Sequence, residues 1–170
     1  MKNICIFGGP GVGKSTISSG LFYEMKRLNY NVEYLTEFAK ELVFSKAEYQ
    51  LKDQLFVLAN QHHPWFKLED QIDYTINDGP FLLGIVYLQE SKHIPKEQFE
   101  NLVISMYKSW DTINIFLERD EKDFETFGRV HDYNQSVILD NKILKLLEDN
   151  NIKYTKIKLN NAVNEILKLI

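Results

Sequence analysis

The sequence predicts an α/β fold: a parallel sheet with helices on both faces. Three observations predict it. Short apolar runs alternate with stretches of helical periodicity along the chain. The first run, Ile4-Cys5-Ile6-Phe7, reads as a strand buried on both sides. Between that strand and the first helical stretch, Gly8-Gly9-Pro10-Gly11-Val12-Gly13-Lys14-Ser15-Thr16 meets every fixed position of G-x-x-x-x-G-K-[ST], a phosphate-binding loop that joins strand to helix in such sheets.

In order, the first strand is expected over Lys2–Phe7 and its helix over Gly13–Leu28. Asn29-Tyr30-Asn31 reads as a turn into a second strand, Val32–Leu35. A helical region begins near Glu37, breaks near Ser45–Ala47 and continues through Leu51–Leu68. The third strand is expected over Asp73–Asn77, followed by helices at Phe81–Ser91 and, just after Pro95, Lys96–Trp110. Thr112–Leu117 is the fourth strand. Leu139, Ile143, Leu146 and Leu147 recur at i, i+4, i+7 and i+8, one face of an amphipathic helix. Ile152–Ile157 is the fifth strand and Asn161–Ile170 a closing helix. There is no internal repeat, low-complexity tract or obvious linker, so residues 1–170 are expected to form one domain.

At 170 residues, 44% hydrophobic and 13% aromatic, the chain is long and apolar enough for a proper core. No apolar run approaches bilayer-spanning length, so no membrane association is expected. The sequence enters its first strand at once, which predicts no signal peptide. Cys5 is the only cysteine; it excludes an internal disulfide and fits a reducing, cytoplasmic setting. The net charge of −4, without a Lys/Arg run, weighs against a duplex-binding surface.

The loop points to a nucleoside triphosphate with Mg²⁺. A phosphate chain is held by converging backbone N–H groups and the positive end of a helix dipole. Those donors are expected from Gly9, Gly11, Val12, Gly13 and the residues that follow. Lys14 is placed to reach the β- and γ-phosphates, Ser15 to bind Mg²⁺ and Thr16 to contact the α-phosphate. In parallel sheets, ligands sit beyond the carboxyl ends of the strands, so the residues after each strand matter most. After the second strand comes Glu37, which reads either as a carboxylate that prepares an attacking hydroxyl or as a helix-start acid. After the third comes Asp78-Gly79-Pro80, where Asp78 is expected at the Mg²⁺ site and the tripeptide is also turn chemistry. After the fourth comes a polar stretch, 119–132, read as a lid carrying Arg119 and Arg129; the alternative is that both pair with nearby acids. In Gln61-His62-His63-Pro64-Trp65-Phe66-Lys67, Gln61 can read a base edge, and the aromatics are expected mainly in the core.

With these motifs in view, the chain resembles a family of small P-loop kinases that includes the ribosylnicotinamide-kinase type and many phage-encoded ATP-binding proteins. The resemblance rests on G-G-P-G-V-G-K-S-T at 8–16, T-E-F-A-K at 36–40, I-N-D-G-P at 76–80, F-L-E-R at 116–119, and G-R at 128–129 ahead of Ile138-Leu139-Asp140. It implies a three-layer α/β/α fold with a five-stranded parallel sheet in the order 2-3-1-4-5. It also implies that Glu37 is the acceptor-side carboxylate, Asp78 the acid after the third strand, and Arg119 and Arg129 lid arginines. The implied activity is ATP·Mg²⁺-dependent phosphoryl transfer, with Lys14, Glu37, Asp78, Arg119 and Arg129 as catalytic residues. The acceptor would be a hydroxyl of a nucleoside, a nucleotide or a related small molecule, or a hydroxymethylpyrimidine base in DNA. A different class, a regulatory nucleotide-binding switch, uses the same loop without an acceptor. Two departures concern the acceptor side: Asp78-Gly79-Pro80 stands where Asp-Ser-Pro is common, and no arginine follows Gln61 closely.

Overall fold

The computed structural model describes residues 1–89, 93–119 and 132–170. Five parallel strands, β1 (Lys2–Phe7), β2 (Val32–Leu35), β3 (Tyr74–Asp78), β4 (Thr112–Glu118) and β5 (Thr155–Lys158), pair in the order β2-β3-β1-β4-β5. This is the expected 2-3-1-4-5 sheet. Between and after the strands lie α1 (Lys14–Arg27), α2 (Phe38–Phe44), α3 (Glu48–Lys52), α4 (Gln54–Leu68), α5 (Gly84–Tyr87), α6 (Lys96–Lys108), α7 (Tyr133–Asp149) and α8 (Ala162–Leu167). In register, Ile6 of β1 is flanked by Asp78 of β3 and Ile115 of β4, so the carboxyl ends of the central strands open onto one edge.

Alternation along β1 builds the two halves of the core. Cys5 and Phe7 point to one face, where they join Leu58 and Trp65 of α4, Phe99 and Val103 of α6, and Ile143 and Leu147 of α7. Ile4 and Ile6 point to the other and join Ile17, Leu21 and Met25 of α1 and Ile166 of α8. Each such side chain contributes about 1.5–3 kcal/mol by leaving water. The two clusters clamp the sheet and thereby hold the strand ends that carry polar residues.

Several element boundaries differ from the sequence expectation, each for a local reason. The helix expected through Leu51–Leu68 breaks at Asp53, whose carboxylate accepts from the Phe56 N–H (3.2 Å) and starts α4 as its N-cap. The region expected as one helix over Phe81–Ser91 is a 3-10 turn at Phe81–Leu83 followed by the single turn α5, with Leu88 extended; residues 90–92 lie outside the described chain. Phe81, Leu82 and Leu83 are all buried, and consecutive burial does not suit a one-faced helix. Ile152, expected to open the last strand, instead donates its N–H to Leu147 O (2.9 Å) across Asn151 at φ 54, so it closes α7.

Candidate active site

The phosphate loop leaves β1 at Phe7 and enters α1 at Lys14. Gly8, Gly11 and Gly13 hold φ values of 145, 76 and 86, the left-handed half of conformational space that glycine tolerates without a Cβ penalty. These turns carry the chain around a tight bend into the N-terminus of a 14-residue helix, whose first amides face out of the sheet edge. Lys14 is 7% exposed, and its ammonium donates to the carbonyls of Gly8 (2.9 Å) and Gly9 (3.3 Å), spanning the loop. A cation held within a glycine-rich bend at a helix N-terminus is the chemistry a polyphosphate needs.

The segments after β2 and β3 come together, with Glu37 packed over the turn that follows Asp78. Asp78 ends β3 and is 2% exposed. Its Oδ2 accepts from the Tyr34 hydroxyl on β2 (3.3 Å), while Oδ1 is buried with no hydrogen-bond partner among the described residues. Burial first, and then the negative charge of Asp78, push the Tyr34 hydroxyl up to about 12, so it stays a proton donor to this carboxylate. Glu37 occupies the N-cap position of α2, and its side chain lies over Gly79: a Cβ on Gly79 would sit 2.8 Å from Glu37 Cγ. Gly79 also has φ 99, so the Asp-Gly-Pro in place of Asp-Ser-Pro has a steric cause. Lys40, one turn into α2, donates to Ser15 Oγ (3.3 Å). An orphaned buried carboxylate oxygen and a serine hydroxyl at the loop suit Mg²⁺, a hard ion that takes one or two protein oxygens and keeps water and phosphate for the rest.

On the far side of the loop, Arg119 follows β4 directly and donates through Nε to Asp140 Oδ2 on α7 (2.7 Å); the side chains are 6% and 11% exposed. The guanidinium lies 5.9 Å from the centre of the Tyr133 ring. Asp140 Oδ1 accepts from the Gly9 N–H (2.5 Å). Arg119 thus stands at the root of the segment expected as a lid. Arg129 and the rest of that segment lie outside the described residues. Gln61 of α4 donates to Gly79 O (3.2 Å), tying α4 to the turn after β3. Trp65 is 1% exposed and packs edge-on against Phe81 (4.9 Å between ring centres), a core role.

Sequence reasoning assigned no role to Tyr34, Lys40 or Asp140. The signal for Asp140 was present: it falls on the buried stripe of α7 with Ser136, Leu139, Ile143 and Leu147. An acid on such a stripe requires a buried partner. Tyr34 and Lys40 carried no comparable signal, since each is meaningful only beside its partner.

Fold and loop together define a P-loop domain with the nucleotide-kinase sheet order. The sequence model of the AAA domain family matches residues 3–164, so the chain belongs to that family of P-loop domains. No curated protein matches it. Among solved structures it is similar to deoxyadenosine kinase from M. mycoides in three states. With the products dCMP and a flexible dCDP bound, identity is 19%, the match covers 99% of this chain and 97% of that one, and the TM-score is 0.57. With dATP bound, identity is 17%, coverage 99% and 98%, and the TM-score 0.58. With dCTP bound, identity is 17%, coverage 99% and 98%, and the TM-score 0.62. At such identities the likeness is one of fold.

Proposed function

We propose that the protein is an ATP-dependent kinase that transfers the γ-phosphoryl group to a hydroxyl of a nucleoside or nucleoside-like acceptor. The observation that carries this reading is the pairing of Glu37 with the Asp78-Gly79 turn beside a complete phosphate loop. A nucleotide switch needs the loop and a metal-side acid, but not a second acid packed on the turn that follows the first. The solved kinase with nearly end-to-end coverage acts on a deoxynucleoside, which supports a nucleoside-like acceptor.

In this mechanism the loop amides and Lys14 bind the triphosphate, and the lysine exchanges the two loop carbonyls for phosphate oxygens. Ser15 and Asp78 would hold Mg²⁺, which when bound neutralises charge on the β- and γ-phosphates. Tyr34 keeps Asp78 oriented. Glu37 accepts the proton of the acceptor hydroxyl as its oxygen bonds to the γ-phosphorus; the bond from that phosphorus to the bridging oxygen breaks, and ADP leaves. Arg119, and Arg129 from the lid segment 119–132, neutralise charge on the transferring group.

The test is an acceptor screen with γ-labelled ATP and Mg²⁺ over nucleosides, nucleotides, ribosylnicotinamide and duplex DNA containing 5-hydroxymethyluracil. Label in a small nucleoside-like acceptor is the expected result. Label in DNA alone moves the acceptor into the polymer, and hydrolysis unmoved by every acceptor supports the switch and overturns the kinase reading.

A further inference from the structure

Asp140 stands where three parts of the site meet. It lies on the buried stripe of α7, 131 residues from the loop that it touches and 21 from Arg119. Both carboxylate oxygens are engaged: Oδ1 takes the Gly9 N–H at 2.5 Å and Oδ2 takes Arg119 Nε at 2.7 Å. A carboxylate of this kind cannot serve as a phosphate ligand, because it carries the same sign of charge and has given its acceptors to protein donors. Nor does packing require it, since apolar residues of similar volume fill a core at least as well as a buried ion pair.

Gly9 supplies an independent sign that the junction is built to close tolerance. Unlike Gly8, Gly11 and Gly13, it is not among the positive-φ residues, so backbone conformation does not demand glycine there. Space does: a Cβ on Gly9 would lie 2.7 Å from Ser136 O, 2.9 Å from Asp140 Oδ1 and 3.1 Å from Arg119 Nη2. The second residue of the phosphate loop is therefore glycine so that α7 and Arg119 can reach the loop's backbone.

We propose that Asp140 is a positioning residue for ATP binding, holding the start of the phosphate loop and the arginine after β4 in one fixed arrangement through its two oxygens. The inference rests on the reading of this loop as an ATP site, and not on the identity of the acceptor. By taking the Gly9 amide, Asp140 fixes where the loop begins its turn and hence where the later amides point. By taking Nε of Arg119, it sets the direction in which the rest of the guanidinium faces. A change at either partner is transmitted to the other through one carboxylate.

The test is equilibrium binding of N-methylanthraniloyl-ATP with Mg²⁺ to the full chain, at a temperature where circular dichroism shows each variant folded. The variants are Asp140→Asn, Arg119→Gln, the double variant, and Lys14→Ala as the loop control. Asparagine keeps an oxygen for the Gly9 amide but cannot form the ion pair. Asp140→Asn is expected to weaken binding about tenfold, the scale of a lost charge-assisted hydrogen bond. The double variant, which buries no uncompensated charge, is expected to regain melting temperature yet bind no better than the weaker single variant. It should also bind no worse. Affinity within twofold of wild type for Asp140→Asn, or a loss in the double equal to the product of the single losses, overturns the proposal. If Asp140→Asn does not fold, Gly9→Ala tests the same junction, with the same expected loss and wild-type affinity as the overturning result. A wild-type chain that binds ATP but phosphorylates no acceptor defeats the kinase reading and leaves this series to decide Asp140. A wild-type chain that does not bind ATP overturns both.

Discussion

At Gly79 the backbone holds φ 99, and a Cβ would lie 2.8 Å from Glu37 Cγ, so the side chain proposed to prepare the acceptor rests on a position that accepts little but glycine. Gly79→Ala should cost about 1–3 kcal/mol in urea denaturation from the strained backbone, and should lower turnover by displacing Glu37. A stability loss without any change in turnover would show that the contact does not position the glutamate. Glu37→Gln keeps the shape but cannot accept a proton. It should lower kcat by about 10²–10⁴-fold with ATP affinity unchanged. An unchanged kcat would remove Glu37 from the proton's path. Both residues were visible in the sequence as strand-end positions. Their mutual contact was not, because it depends on how closely α2 approaches the turn after β3.

Strand β1 carries the loop on its end and Cys5 in its middle, and the same burial that makes it rigid makes it sensitive to alkali. Burial pushes the Cys5 thiol from its ordinary 9.0 up to about 12. The folded chain keeps a proton that the unfolded chain releases. The stabilisation is therefore complete below about pH 9.0 and is lost progressively as pH rises towards 12. Urea midpoints should fall across that range, and the fall should be shallower in Cys5→Ala; equal slopes would mean that folding leaves the thiol's pKa unchanged. At the same scale, sequence patterns located the five strands of the described sheet, because a short β-prone run with turns on both sides is a local signal. They misplaced the start of α4 and the start of β5, where Asp53 caps a new helix and Ile152 closes an old one. Caps are single hydrogen bonds, and an apolar residue beside a turn reads the same whether it ends a helix or starts a strand.

For the whole molecule, ligand binding at the sheet edge should register in global stability, since the loop and β3 pack into the core on one face of the sheet and α7 into the core on the other. At 100 times its Kd, Mg·ATP should add about 2.7 kcal/mol and raise Tm by about 5–10 °C for a domain of this size. Lys14→Ala should abolish the shift while leaving the ligand-free Tm near wild type; a shift that survives would place ATP elsewhere. Among the described residues no helix is long and apolar enough to cross a membrane. The sequence by itself determined the α/β class, the phosphate loop and the strand-end candidates Glu37, Asp78 and Arg119, because each is written in consecutive residues. Only the tertiary structure decided what those residues touch: Tyr34 on Asp78, Lys40 on Ser15, Glu37 over Gly79, and Asp140 joining Gly9 to Arg119. Those partners lie between 21 and 131 residues apart in the chain wherever hydrogen bonds link them. Their meeting is set by the order in which strands cross the sheet and by the packing of helices over it, a property of the assembled layers that no local pattern encodes.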